Sequence, residues 1–219
     1  MIPKVDTICA IASAIGQSGI GIIRVSGPLV KSIFKQILQT DIKPRYAYYG
    51  PFHDYEGAVI DKGVAIFFPG PNSYTGEDIV EFQGHGGVSV LRKLLETITD
   101  SKVRLAEPGE FTKRAFLNGK MDLIQAEAVQ DLIQSNSEES ALSAVRSLTG
   151  EFSTKINELL SELISLRVFV EATIDFSDEE IDFLESHEVS SKLYALKKSL
   201  KDILNTATQG AILRDGISV

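Results

Sequence analysis

Gly19–Val25 is an apolar, β-rich run with Arg24 set between Ile23 and Val25, and Asp78–Gln83 alternates along its length. In the second run Ile79, Glu81 and Gln83 fall on one face, and Val80 and Phe82 on the other. A period of two predicts half-buried strands. Asp6–Ser13, Tyr46–Gly50, Ala58–Ile60 and Val64–Phe68 read as further short strands, with Asp61-Lys62-Gly63 as a hairpin turn between the last two. In Pro28–Gln39 the spacing becomes helical, because Val30, Ile33, Phe34 and Ile37 share a face and Pro28 lies near the first turn. Gly86–Thr97 and residues 109–118 are helical as well. From Met121 onward only helical spacing remains, over residues 122–134, 138–174 and 189–212. Ile156, Leu159, Leu163, Leu166 and Val170 form an apolar seam, and Leu160, Ile164 and Val168 add a second row that predicts a further buried face. Residues 174–180 predict a break, with Ser177 or Asp178 as the next N-cap. The pattern therefore predicts an α+β domain over residues 1–118 and part of an all-helical domain over 119–219. At Gly216–Val219 a short apolar run opens and stops. Chain ends ordinarily fray and do not start an element, so the expectation is a longer protein cut at a domain boundary.

Composition narrows the class. The net charge of −8 is unevenly spread: residues 1–120 hold 14 Lys/Arg against 12 Asp/Glu, and residues 121–219 hold 8 against 18. The acidic half is a poor nucleic-acid surface, because phosphate neutralisation needs clustered cations. No aromatic-plus-basic interleaving of a single-strand binder is present. No apolar run nears the roughly 20 residues that span a bilayer, and the N-terminus has no signal-peptide pattern. Cys9 is the one cysteine, so no internal disulfide can form, and its apolar neighbours predict a buried structural thiol. These features favour the cytoplasm. No His/Cys metal motif and no Gly-x-x-x-x-Gly-Lys-Ser/Thr phosphate loop occurs in the sequence.

Three stretches carry candidate chemistry. In Gly19–Gly27, strand alternation sends Ile23 and Val25 to one face and Arg24 to the other. Arg24 is either a surface residue of an edge strand or an anion clamp with bidentate donors. Pro69–Gly87 is a Pro/Gly/Asn/Ser loop, a strand, and a glycine turn that opens a helix. That turn is either structural or an anion cradle. Glu81 lies mid-strand between apolar neighbours, where a carboxylate needs a donor: a protein Arg or Lys, or a ligand with adjacent N–H groups. In Glu107–Leu123, Asn118-Gly119 predicts a helix stop with Gly119 in a left-handed cap, leaving Lys120 solvated or turned into a cleft.

Taken together, Asp6-Thr7-Ile8, Gly19–Gly27, Pro69–Gly87, Pro108–Leu123, Gln125-Ala126-Glu127-Ala128 and Glu171–Leu184 resemble the bacterial tRNA-modification GTPase family MnmE (TrmE). The resemblance runs along essentially the whole chain. It implies an N-terminal folate-binding and dimerisation domain with a mixed or antiparallel sheet, similar to that of folate-dependent aminomethyltransferases. A helical domain follows, interrupted by a GTPase domain that begins where this chain ends. It further implies action with a flavin-dependent partner protein on carbon 5 of the wobble uridine of tRNA. A 5-formyl-tetrahydrofolate-type donor would contact Arg24, Glu81 and Lys120. GTP, magnesium and potassium belong to the GTPase domain, so no catalytic or metal residue is expected in these residues. Family members commonly carry Pro-Pro-Gly-Arg-Gly-Gly before the Ile-Gly-Ile segment; here Ala14–Gly19 lacks that arginine and both prolines. Two alternatives stay open: a stand-alone folate-dependent one-carbon transferase, with Glu77 and Asp78 as candidate acids, and a non-catalytic assembly module.

Overall fold

The computed structural model describes residues 6–14, 16–175 and 186–215. The chain divides into two compact units between Met121 and Asp122. The expected N-cap at Ser177 or Asp178 and the apolar run at 216–219 lie outside the described residues.

The first unit runs β1 (Ile8–Ile11), β2 (Gly21–Ser26), α1 (Val30–Leu38), β3 (Ala47–His53), β4 (Val59–Phe68), β5 (Ile79–Gly84), α2 (Val88–Thr99), β6 (Arg104–Leu105) and α3 (Glu110–Leu117). Its six strands form one sheet in the order β3-β4-β5-β2-β1-β6. All neighbours are antiparallel except β1 and the two-residue β6, which makes the sheet mixed. The expected α+β class is what forms. Strand alternation sorts the residues. Ile23, Val25, Phe52, Ala65, Phe67, Val80 and Phe82 join the helical stripes Val30/Ile33/Phe34/Ile37 and Leu91/Leu94/Ile98 in one core. Phe34, Phe52, Phe67 and Phe82 are fully buried, each contributing about 1.5–3 kcal/mol of apolar burial. Cys9 is buried in the same core, which pushes its thiol up to about 12. The opposite strand face carries Arg24, Glu81 and Ile66 in one cross-strand row.

The expected hairpin at Asp61-Lys62-Gly63 does not form; those residues lie inside the continuous strand β4. The turn is at Asp54–Ala58 instead, where Asp54 Oδ1 accepts the N–H groups of Glu56 and Ala58 and Gly57 takes φ 84°. Asp61 serves another purpose: its two oxygens accept the backbone N–H of His85 and meet the His85 ring, at 2.7 Å each. Gly63 is demanded by packing, not by a turn. A Cβ there would stand 2.2 Å from the carbonyl oxygen of Gln83 on β5.

The second unit is helical: α4 (Leu123–Gln134), α5 (Glu138–Leu148), α6 (Glu151–Asp175) and α7 (Ser186–Asp215). Capping boxes start the first two, Asp122 with Gln125 and Ser137 with Ser140. The single helix expected over 138–174 is two, because Gly150 at φ 85° ends α5 and Thr154 N–H returns to the Gly150 carbonyl to open α6. Leu166 of the expected seam is buried, but Leu160, Ile164 and Val168 are about half exposed, so the second apolar row is not covered within the described residues. Among those residues no helix is long and apolar enough to cross a membrane.

The close approach of β4 to β5 gives a first test. Gly63→Ala should destabilise the protein by about 1–3 kcal/mol through overpacking against backbone, read as a lower urea midpoint. An unchanged midpoint would mean that the two strands lie farther apart.

Candidate functional site

Arg24 and Glu81 face each other across β2 and β5, directly opposite in the antiparallel register. Their strand neighbours Ile23, Val25, Val80 and Phe82 turn into the core, so alternation places both charges on the other face. The β2 strand lies inside the sheet between β1 and β5 and is not an edge strand. Arg24 Nε and Nη2 approach the same carboxylate oxygen, Glu81 Oε1, at 2.9 and 2.8 Å. Among the described residues neither Glu81 Oε2 nor Arg24 Nη1 makes a hydrogen bond. The two side chains are 15% and 25% exposed, so the pair is only partly screened by water. The donor that Glu81 requires is thus a protein arginine, and half of the carboxylate is left over.

The loop between β4 and β5 borders this pair. The Tyr74 ring lies 5.0 Å from the Arg24 guanidinium carbon, and the Phe111 ring of α3 lies 5.6 Å from it. Both distances suit a cation–π contact. The loop is tied to α3 at successive points: Tyr74 Oη to Thr112 Oγ1 at 2.9 Å, and Asn118 Nδ2 to the Thr75 carbonyl at 2.7 Å. Helix α3 stops in a Schellman motif. Gly119 at φ 66° donates to the Phe116 carbonyl, and Lys120 N–H donates to the Ala115 carbonyl. That fixes the backbone of Lys120 and lays its stem beside Gly76. A Cβ on Gly76 would sit 3.3 Å from Lys120 Cγ and 3.4 Å from its Cδ. Arg24 and Glu81 are therefore in direct contact, and the Lys120 stem lies against the 69–78 loop at Gly76. In the glycine turn after β5, His85 N–H is spent on Asp61 and Gly86 N–H on the Ser18 carbonyl, which supports the structural role of that turn over an anion cradle.

A second ionic cluster was not visible in the sequence. Arg104 makes a forked pair with Glu110 at 2.9 and 2.8 Å, and its Nε donates to Asp6 at 2.9 Å. Arg114 donates to Asp6 Oδ1 at 2.6 Å, to Glu110 at 3.0 Å, and to both oxygens of Glu77 at 3.2 Å. Ser26 Oγ donates to Glu77 at 2.6 Å. Hydrogen bonds from Arg104, then from the Glu107 N–H and Arg114, outweigh burial and hold Glu110 at about 2. The Arg104 hydrogen bond likewise lowers Asp6. Only Glu110 and Arg114, at i and i+4 on one helix, left a trace in the sequence. Glu77 and Asp78, the candidate acids, are committed elsewhere: Glu77 as above, and Asp78 to the Gly70 N–H and the Lys31 ammonium.

The family described as GTP-binding protein TrmE N-terminus matches residues 7–120, and the MnmE helical domain matches residues 123–218. A protein of Vesicomyosocius okutanii subsp. Calyptogena okutanii named tRNA modification GTPase MnmE is 59% identical over 213 residues, covering 97% of this chain and 48% of the relative. Its namesake from Stutzerimonas stutzeri is 53% identical over 219 residues, covering 100% of this chain and 48% of the relative. The chain thus spans about half the length of these relatives.

The Glu110 cluster predicts an acid dependence. A carboxyl held at about 2 in the fold, against an unfolded value of ~4.3, adds stability that is full above the unfolded value and lost as pH falls through the folded one. Its share is on the order of 3 kcal/mol. Urea melts of wild type should therefore weaken steadily from about pH 5 towards pH 2, and Glu110→Gln should flatten that slope. An equal slope in the variant would show that Glu110 is not the titrating group.

Proposed function

Because the chain belongs to the MnmE (TrmE) family, we propose that its first unit binds a formyl-tetrahydrofolate-type one-carbon donor at Arg24, Glu81 and Lys120, within a GTPase that modifies tRNA. One observation carries this reading: the uncommitted Oε2 of Glu81 lies on the same ion pair as the uncommitted Nη1 of Arg24. A pterin edge presents a ring carbonyl next to an N–H and an amino group. The carbonyl suits Nη1 as a donor, and the N–H groups suit Oε2 as an acceptor, both as charge-assisted hydrogen bonds. The folate tail ends in carboxylates. Lys120, which makes no ion pair among the described residues, supplies a mobile positive charge for it. When bound, the folate supplies a one-carbon unit, while the chain's own residues bind and orient it.

The same reading assigns no catalytic residue to this chain. Glu77 and Asp78 already serve Arg114, Ser26, Lys31 and the Gly70 N–H, which weighs against a self-contained transferase. In the proposal, GTP, magnesium and potassium are handled by a part of the protein outside these residues. The first unit forms a homodimer, and the assembly works in the cytoplasm with a flavin-dependent partner on carbon 5 of the wobble uridine of tRNA.

Calorimetry with 5-formyl-tetrahydrofolate tests the site. The wild-type chain should bind it. Glu81→Ala should weaken binding ten- to hundredfold, the equivalent of about 1.5–3 kcal/mol for a hydrogen bond to a charged group. Unaltered affinity in a variant that melts normally would remove Glu81 from the site. A wild-type chain that binds no folate would leave the assembly-module reading.

A further inference from the structure

The Arg24–Glu81 pair has an uneven geometry. A guanidinium and a carboxylate commonly meet fork to fork, one N–H to each oxygen. Arg104 and Glu110 do so in this unit. Arg24 instead turns two nitrogens to a single oxygen of Glu81. The carboxylate alone does not dictate that arrangement, and a second contact can bias the guanidinium plane. The Tyr74 and Phe111 rings are the groups that meet it. Both rings are anchored from behind. Tyr74 is tied through its hydroxyl to Thr112, and the next residue, Thr75, is fully buried with its hydroxyl 2.7 Å from that of Ser26. Phe111 follows Glu110, which is held by two arginines. A long arginine side chain loses much rotamer freedom when it binds a ligand, and prior fixation removes that cost.

We propose that Tyr74 and Phe111 are positioning residues: their rings hold the Arg24 guanidinium on one oxygen of Glu81 and so keep a donor and an acceptor side by side for the flat heterocyclic end of the ligand. This rests on the folate reading and gives two further residues a part in it. The heterocycle meets Arg24 and Glu81 together, and the anionic tail is left to Lys120.

The test uses the whole chain with three probes: 5-formyl-tetrahydrofolate, a free pterin, and p-aminobenzoyl-glutamate as the tail alone. Tyr74→Leu and Phe111→Leu should each weaken the first two on the order of tenfold and leave the tail fragment unchanged. Tyr74→Phe, which keeps the ring and loses the Thr112 hydrogen bond, should restore most of the affinity. The nitrogen-15 spectrum gives a ligand-free readout. The Arg24 Nε–H resonance should be ring-shifted in wild type and in Tyr74→Phe, and should move towards the value of a free arginine in Tyr74→Leu. Should Tyr74→Leu fail to fold, Phe111→Leu carries the same comparison. Leucine variants that bind like wild type with an unmoved Arg24 resonance would overturn the positioning role alone. Equal losses in Tyr74→Phe and Tyr74→Leu would overturn it too, by assigning the effect to the hydroxyl. A wild-type chain that binds none of the three probes would overturn the folate reading itself.

Discussion

The Arg114 side chain, 11% exposed, donates to three carboxylates and to the Asp6 carbonyl through its guanidinium. Those groups come from the segment before β1, from the loop ahead of β5 and from the first turn of α3. A guanidinium does not lose its proton inside a protein, so a position this sheltered is tolerable only if partners surround it. Burial works against the charge, and Glu110, Glu77 and Asp6 together more than offset it, leaving the Arg114 pKa raised. The consequence is geometric. Helix α3 cannot leave the sheet without exposing or orphaning charge at several points, and the 69–78 loop is fastened to the same helix by Tyr74, Thr75 and Glu77. The aromatic side of Arg24 inherits its rigidity from that fastening.

Two carboxylates in the unit show how the surroundings separate scaffold from site. Glu110 and Glu81 are similarly sheltered, at 10% and 15% side-chain exposure. Glu110 is saturated: two arginines and the Glu107 N–H occupy both oxygens. Glu81 has one arginine on one oxygen. Its other oxygen has no protein donor, and a ligand that brings one can replace water there with a charge-assisted hydrogen bond. Saturation makes Glu110 a fixture of the fold, and incompleteness makes Glu81 the better candidate for recognition.

Much of this was legible in the chain, for identifiable reasons. Alternation at Ile23-Arg24-Val25 and at Val80-Glu81-Phe82 placed both charges away from the core, because one apolar face decides strand orientation. Asn118-Gly119 announced the helix stop, because only a glycine-like residue fits its left-handed cap. Pairing was not legible. Nothing local says that residue 24 meets residue 81, because a register across two strands is a tertiary fact. The misplaced hairpin has the same root. Asp-Lys-Gly has turn chemistry, yet in β4 the aspartate reaches His85 and the glycine makes room for the β5 backbone. The Gly150 break was missed because the apolar period continues on both sides of it. The short β6, without alternation of its own, forms by pairing with β1.

Cys9 lies on β1. It is the chain's one sulfhydryl, it is enclosed by the core, and burial keeps it protonated far above neutral pH. Thiolate-seeking reagents therefore find no native target while the fold is intact. A cysteine introduced on the surface would be labelled without background, and a fluorophore or spin label placed there would report from one known address.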